Sequence, residues 1–212
     1  MTRLLIATTN RDKIREIRSL LADTPVELIA LRDLPPVEEP EETGATFEEN
    51  ARLKARYYAA HSEMLTAAED SGLVIDALDG EPGVRSARFL RPDASYPERF
   101  TAIFERLSRH PERQRTARFV CALAVVDGER IAFETTGTVE GEIAAAPAGT
   151  RGFGYDPIFY YPPYGATLAE LGENDKLIIA HRGKAFRALA DWLQSKREKA
   201  PNEQPSDLSK NF

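Results

Sequence analysis

The apolar and polar positions of the first thirty residues predict a strand, a helix and a second strand. Residues 3–8 form a short, mostly apolar run that is typical of a buried strand. Residues 26–30 have the same character, so the two runs would flank a helix. In residues 11–22 the apolar side chains recur every three or four positions, as they do on one face of a helix: Ile14, Ile17, Leu20 and Leu21.

The middle of the chain adds two helices and another strand. A loop rich in proline and acidic residues ends at Gly44, and Thr46 and Glu49 have capping-box spacing, which favours a helix start there. Residues 71–78 are an apolar strand, followed by a turn rich in glycine and proline. Residues 96–108 predict a helix with apolar side chains on one face: Phe100, Ile103, Phe104 and Leu107.

The second half of the chain predicts a hairpin and a final helix. Two long runs of strand-forming residues, 116–126 and 130–140, are separated by Asp127-Gly128, which is a strong hairpin signal. A last helix is predicted at 184–197. Because helices and strands are interleaved and a hairpin is antiparallel, the sequence predicts an α/β fold with a mixed central sheet.

Composition and charge limit the class of protein. The chain has 212 residues, of which 42% are hydrophobic and 29% charged, and this suits one globular domain. We assign that domain to 1–199 and predict a disordered polar tail at 200–212. The formal net charge of −6 disfavours a nucleic acid as partner but allows a small anion in a local basic pocket.

The sequence also predicts a reducing compartment. Its one cysteine, Cys121, lies in an apolar run and is typical of a buried strand residue. No apolar run is long enough for a membrane span, and no signal peptide is visible at the N-terminus. We therefore expect a cytoplasmic protein without a membrane partner.

The turn between the first strand and the first helix offers donors for phosphate. Thr8, Thr9 and Asn10 carry hydroxyl and amide groups, and free amides at a helix N-terminus favour an anion. Lys13 lies one turn further and could reach a second phosphate oxygen. The alternative is an ordinary helix cap with a solvated lysine.

Clustered carboxylates around the second helix suggest a metal site. Glu41 and Glu42 lie in the loop, and Glu48 and Glu49 begin the helix. Carboxylate oxygens suit a hard cation such as Mg²⁺, which keeps several of its waters. The alternative is a solvated acidic loop and a first turn in which the helix dipole favours glutamate.

Asp70 immediately precedes the predicted strand 71–78, and Ser71 is at its start. Asp70 could ligate a metal ion or accept a proton from water. The neighbouring Glu69 would point to the opposite face of an extended chain, so one carboxylate could face a site while the other is solvated. The alternative is that Asp-Ser-Gly is a plain turn.

The segment at residues 152–156 could recognise a flat ring. Gly152 and Gly154 allow close approach of the backbone, Phe153 or Tyr155 could stack on a base, and Asp156 could accept hydrogen bonds from its edge. The alternative is an aromatic loop that fills the core.

Further along, Lys176, His181 and Arg182 could donate to carbonyl or phosphate oxygens. The alternative is a histidine at a helix entry and a surface arginine. Taken together, the five motifs supply the parts of a nucleoside triphosphate site.

In the order and spacing of these motifs the chain resembles the inosine/xanthosine triphosphate pyrophosphatases over residues 4 to 193. The segments that carry the resemblance are TTNRDK (8–13), EETGATFEENARLKA (41–55), EDSGLVIDALDGEPGVRSAR (69–88), GTRGFGYDPIF (149–159) and AHRGKAF (180–186). The resemblance implies an elongated, two-lobed α/β structure with a central mixed sheet flanked by helices and a long active-site cleft. It also implies a homodimer.

The resemblance implies hydrolysis of the non-standard purine nucleotides ITP, dITP and XTP to the monophosphate and pyrophosphate, with Mg²⁺. Asp70 would be the general base, and Glu42 and Asp70 would serve the metal, Glu42 being preferred to Glu41 because it lies two residues before Gly44. The substrate would contact Thr8, Thr9, Asn10, Lys13, Lys54, Ser71, Phe153, Gly154, Tyr155, Asp156, Lys176, His181 and Arg182.

Two other functions are weighed against this one. A Maf-like pyrophosphatase acts on other nucleotides, but such chains usually have serine and arginine where this chain has Asn10 and Lys13, and they lack the FGYD segment. A non-catalytic nucleotide sensor has no use for a carboxylate that activates water.

Overall fold

A computed structural model describes residues 2–199, and the tail predicted at 200–212 lies outside the described residues. The domain boundary therefore stays a prediction. Seven strands form one sheet in the order β2-β1-β3-β4-β5-β6-β7. They are β1 (Thr2–Ile6), β2 (Val26–Ala30), β3 (Leu65–Ile75), β4 (Thr116–Asp127), β5 (Arg130–Ile143), β6 (Phe159–Tyr161) and β7 (Ala166–Thr167).

The predicted α/β fold with a mixed sheet is confirmed. β1 pairs in parallel with β2 and with β3, whereas every later pairing in the sheet is antiparallel. The helices flanking it are α1 (Arg11–Leu20), α2 (Phe47–Ser62), α3 (Tyr96–Ser108), α4 (Glu173–Ile179) and α5 (His181–Lys199). Within residues 2–199, no helix is both long and apolar enough to cross a membrane.

Local signals placed several elements correctly. The hairpin of β4 and β5 turns at Gly128, whose φ of +60° explains the glycine. Thr46 caps α2 by accepting a hydrogen bond from the amide of Glu49. The carboxylate of Glu49 accepts instead from the amide of Ala45, so only half of the capping box forms. Cys121 is buried in β4, as predicted.

The main differences from the prediction are the starts of two elements and one missed helix. β3 begins at Leu65 rather than at 71, because residues 66–70 pair with β4 although they include polar side chains. The short helix α4 was missed, and α5 begins at His181 rather than at 184. Gly183 looks like a helix breaker, but a Cβ there would lie 1.8 Å from the carbonyl oxygen of Leu177. Close contact between α4 and α5 therefore requires this glycine.

The hydrophobic core has three parts that leave a cleft between them. Leu4 and Ile6 pack with α1 and α5 on one face of the sheet, whereas Leu5 and Ala7 pack with α2 on the other. A third cluster joins α3 to the far end of the sheet, around Phe159. The cleft begins where β1 ends and runs across the middle of β3, so loops and strands from distant parts of the chain face one another.

Candidate active site

A cavity of about 440 Å³ brings the predicted site residues together. Asp70 does not line the cavity. Its Oδ1 lies 3.4 Å from Nζ of Lys54, however, and Lys54 does line the cavity. The predicted residues that line the cavity are Thr8, Thr9, Asn10, Lys13, Glu42, Lys54, Ser71, Phe153, Gly154, Tyr155, Asp156, Lys176, His181 and Arg182. Segments that are far apart in the sequence thus converge on one cleft.

One end of the cavity is the turn between β1 and α1. Oδ1 of Asn10 accepts hydrogen bonds from the amides of Asp12 and Lys13, at 2.9 and 3.1 Å. The prediction that these helix-terminal amides are free is therefore wrong, because Asn10 caps the helix. Lys13 is not solvated either, since its Nζ lies 3.4 Å from Oε1 of the buried Glu69 and its side chain is 17% exposed. Thr9 is exposed at the cavity edge.

Next to this turn, Lys54 joins two carboxylates. Its Nζ lies 2.7 Å from Oε1 of Glu42 and 3.4 Å from Oδ1 of Asp70. Arg88 donates to Oε2 of Glu42 at 2.7 Å, and Asn50, fully buried, donates to Oδ2 of Asp70 at 3.0 Å. Because the ammonium group of Lys54 contacts both carboxylates, the space between Glu42 and Asp70 stabilises a positive charge.

The carboxylate pair fits a shared magnesium site rather than a complete protein site. Among residues 2–199, no group of three or more His, Cys, Asp or Glu side chains could hold a metal ion alone. Mg²⁺ commonly takes one or two carboxylates together with phosphate oxygens of a substrate. Glu42 and Asp70 provide that number of ligands, whereas the exposed Glu41 does not line the cavity.

Asp70 has the electrostatic character of a base. Burial raises its pKa, Lys54 lowers it only in part, and the negative charge of Glu42 raises it further. Glu69 and Asp70 point to opposite faces of β3, as predicted, but neither is solvated, because they are 3% and 6% exposed. Glu69 contacts Lys13 and Arg182 instead.

A buried network of charges lies behind the other end of the cavity. Arg182 donates from Nε to Glu69 at 2.8 Å and from NH1 to Glu16 at 2.7 Å. Lys176 binds Glu16 at 2.9 Å and Asp156 at 2.6 Å. Together with Lys13, the network holds three cations and three carboxylates, so its formal charge is balanced.

The charges of the network determine the protonation states of Glu69 and of the neighbouring His181. Burial alone would raise the pKa of Glu69, but Arg182 and Lys13 outweigh it and hold that pKa well below its usual value. Burial and the nearby Arg182 lower the pKa of His181, which is therefore neutral. His181 stacks on Phe119 with 4.8 Å between ring centroids, and its Nδ1 has no hydrogen-bond partner within the described chain. The alternative of a surface arginine at position 182 is excluded, since Arg182 is 2% exposed.

The two aromatic residues of the loop at 152–156 have different environments: the ring of Tyr155 is part of the packed structure, whereas the ring of Phe153 is available to a ligand. Tyr155 is buried, and its hydroxyl donates to the carbonyl oxygen of Ser86 at 2.8 Å. Phe153 is half-buried, with Nζ of Lys176 4.7 Å and the guanidinium carbon of Arg182 5.4 Å from its ring centroid. Phe153 is thus the ring on which a base could stack.

The loop is held by Asp156 and by a glycine. Oδ2 of Asp156 accepts from the amide of Phe153 at 2.8 Å as well as from Lys176. Gly152 has a φ of +70°, and a Cβ there would lie 2.1 Å from Oδ2 of Asp156. The glycine is therefore required for the loop to close over the buried lysine.

Sequence reasoning missed two buried polar residues that organise the site, Glu16 and Asn50. Glu16 follows Lys13 by three positions and so shares its helix face, which was the available signal. Asn50 is an asparagine in the first turn of α2 that also accepts a hydrogen bond from the amide of Gly44 at 2.8 Å. Each residue connects segments that only the fold brings together.

The mixed sheet and the charged cleft define an α/β protein built to hold a small anionic molecule. The chain is matched over residues 4–192 by the model of the Ham1 family, and it belongs to that family. It is 45% identical over 187 residues to a dITP/XTP pyrophosphatase of an Exiguobacterium species, covering 88% of this chain and 94% of that protein.

Another relative and a solved structure agree. A dITP/XTP pyrophosphatase of Geobacter sulfurreducens is 45% identical over 195 residues, which cover 91% of this chain and 97% of that protein. The structure of a HAM1 protein from Coxiella burnetii has a TM-score of 0.85 and 38% identity, covering 92% of this chain and all of that one.

Proposed function

We propose that the chain hydrolyses ITP, dITP and XTP to the nucleoside monophosphate and pyrophosphate. The observation that carries this proposal is one cavity lined by lysines, Glu42 and the half-buried ring of Phe153, with Asp70 in contact with the cavity residue Lys54. That arrangement suits a molecule with a polyphosphate and a flat base. The relatives named dITP/XTP pyrophosphatase support the same substrate class.

Lys13 and Lys54 would bind the triphosphate, with the hydroxyl groups of Thr8 and Thr9 as further donors. Glu42 and Asp70 would hold Mg²⁺ together with phosphate oxygens, and the ion would neutralise charge on the polyphosphate and lower the pKa of a bound water. Lys54 must then move from between the two carboxylates toward a phosphate oxygen.

Asp70 would accept the proton of the attacking water. The water oxygen forms a bond to the α-phosphorus, the bond to the bridging oxygen breaks, and pyrophosphate leaves. Lys13 would stabilise negative charge on the transferring group. We propose direct hydrolysis, since the sequence offers no nucleophile with a paired base.

The purine would lie on Phe153, beside Lys176, His181 and Arg182. Hypoxanthine and xanthine carry an oxygen at position 6 that accepts a hydrogen bond, whereas adenine carries an amino group that donates. A donor placed at that oxygen, such as Arg182 or a backbone amide, therefore disfavours adenine, because a donor would face a donor. Guanine also carries an oxygen at position 6, so its rejection depends on another feature, such as its 2-amino group.

A nucleotide panel tests this function. Purified protein with Mg²⁺ is expected to release pyrophosphate from ITP, dITP and XTP, to release little from ATP, GTP or dTTP, and to lose activity with a chelator. Preference for a pyrimidine nucleotide would indicate a Maf-like enzyme. Binding of ITP without release would indicate a sensor. The homodimer and the cytoplasmic location stay predictions, and light scattering would test the former.

Replacing Phe153 with alanine is expected to raise KM for ITP about 5- to 150-fold, because stacking of a base on an aromatic ring is worth about 1–3 kcal/mol. The value of kcat should change far less, since the ring of Phe153 contacts Lys176 and Arg182, whereas Asp70 contacts Lys54 and Asn50. Steady-state kinetics with Tyr164→Ala, an exposed aromatic outside the cavity, provide the control. An unchanged KM in Phe153→Ala would refute the stacking role.

A further inference from the structure

A second cavity adjoins the phosphate-binding turn. It shares Thr8, Thr9 and Tyr58 with the candidate active site, so these residues form a common wall. Its volume is about 620 Å³, against about 440 Å³ for the candidate active site. Both volumes lie within the range of pockets that hold small organic ligands.

The floor of the second cavity is apolar. It lies between α1, the C-terminal half of α2 and the loop that follows β2. A ligand with an apolar body would remove this surface from water, which is worth about 25 cal/mol per Å². The apolar side chains of the lining are Leu5, Ile14, Leu31, Leu34, Pro35, Pro36 and Val37.

The charged side chains of the second cavity are all basic. These are Arg11 and Arg32; the imidazole of His61 also lines the cavity, and within the described chain no aspartate or glutamate does. This is a local reversal of charge in a protein with a formal net charge of −6. Arg32 has one nearby carboxylate, Asp33 at 3.8 Å, and both side chains are about half exposed, so that pair is weak.

We propose that the second cavity binds a small organic anion, with an apolar body of about two fused rings and a phosphate or sulfonate group near Arg32. The body contacts the apolar floor, and the anionic group faces the basic residues. Because Thr8 and Thr9 line both cavities, a bound anion changes the affinity of the neighbouring site for nucleotide. This coupling rests on the function proposed above, whereas the binding of the anion does not.

The binding itself is tested by calorimetric titration with 1-naphthyl phosphate. We expect one saturable site per chain, a Kd raised at least about tenfold by Arg32→Glu, and loss of binding in Val37→Trp, which fills the cavity. Arg109→Glu is the matched control, since Arg109 is exposed at the end of α3 and lines neither cavity. Arg32→Glu changes an exposed residue, so it remains informative if Val37→Trp does not fold.

Two sources could supply such an anion, and kinetics distinguish them. If it is a substituent on the terminal phosphate of a nucleotide, the γ-(1-naphthyl) ester of ITP should have a lower KM than ITP, and Arg32→Glu should remove the advantage. If it is a free molecule, the ester gains nothing, and 1-naphthyl phosphate shifts the KM for ITP in wild type but not in Arg32→Glu.

The proposal is overturned if 1-naphthyl phosphate shows no saturable binding, or if Arg32→Glu and Val37→Trp leave its Kd unchanged. Inactivity of the wild type toward ITP would contradict the proposed function alone. The titration does not depend on turnover, so the two failures are distinguishable.

Discussion

Asp70→Asn is expected to lower kcat for ITP by about 10³-fold, with little change in KM. Asparagine has the shape of aspartate but cannot accept a proton from water. Its amide oxygen can still accept the hydrogen bond that Asn50 now donates to Oδ2. In the free protein Lys54 keeps its contact of 2.7 Å with Glu42, and an amide oxygen can still ligate the proposed Mg²⁺, so binding of the nucleotide should change little.

The same substitution should leave the folded state at least as stable at neutral pH. The pKa of Asp70 is raised on folding, so its ionised form disfavours folding above that pKa, and a neutral side chain removes the penalty. The control is Asp79→Asn, because Asp79 is exposed and has a φ of 53° that asparagine tolerates. Steady-state kinetics and thermal unfolding of both variants check the prediction. Near-normal kcat in Asp70→Asn would exclude Asp70 as the general base.

Signals that are local in the sequence predicted much of the fold. The periodicity of apolar residues located α1 and α3, and Asp127-Gly128 located the hairpin. Turn residues and helical periodicity depend on positions that are close in the chain, so a single sequence is enough to recognise them. The convergence of the motifs on one cavity came from the resemblance, because no local rule states which loops face each other.

The charged network could not be predicted in the same way. On α1, Glu16 looks like a solvated residue beside Arg15, and its partner Lys176 is 160 residues away. Arg182 looks like a surface arginine until α5 is packed against the sheet, where Arg182 meets Glu69 of β3. The polar start of β3 was missed for the same reason, since its pairing with β4 buries residues that are hydrophilic in isolation.

Arg182→Leu is expected to lower the free energy of unfolding by about 3–5 kcal/mol at neutral pH. Arg182 is 2% exposed and binds Glu16 and Glu69, so its loss leaves buried carboxylates without a guanidinium. For a chain of this size the melting temperature should fall by about 6–20 °C. Arg109→Leu removes an exposed arginine and should change the melting temperature little.

The pH dependence separates this electrostatic effect from a simple loss of packing. In wild type, Glu16 and Glu69 have lowered pKa values, so their stabilisation is present above about pH 4.3 and is lost as the pH falls through the folded values. In Arg182→Leu the network holds three carboxylates but only Lys13 and Lys176, and burial then raises the pKa of a carboxylate. Protonation on mild acidification relieves that excess charge. Urea unfolding should therefore show a smaller difference between wild type and variant at pH 5.5 than at pH 7.5, whereas an equal difference at both would mean that packing alone was lost.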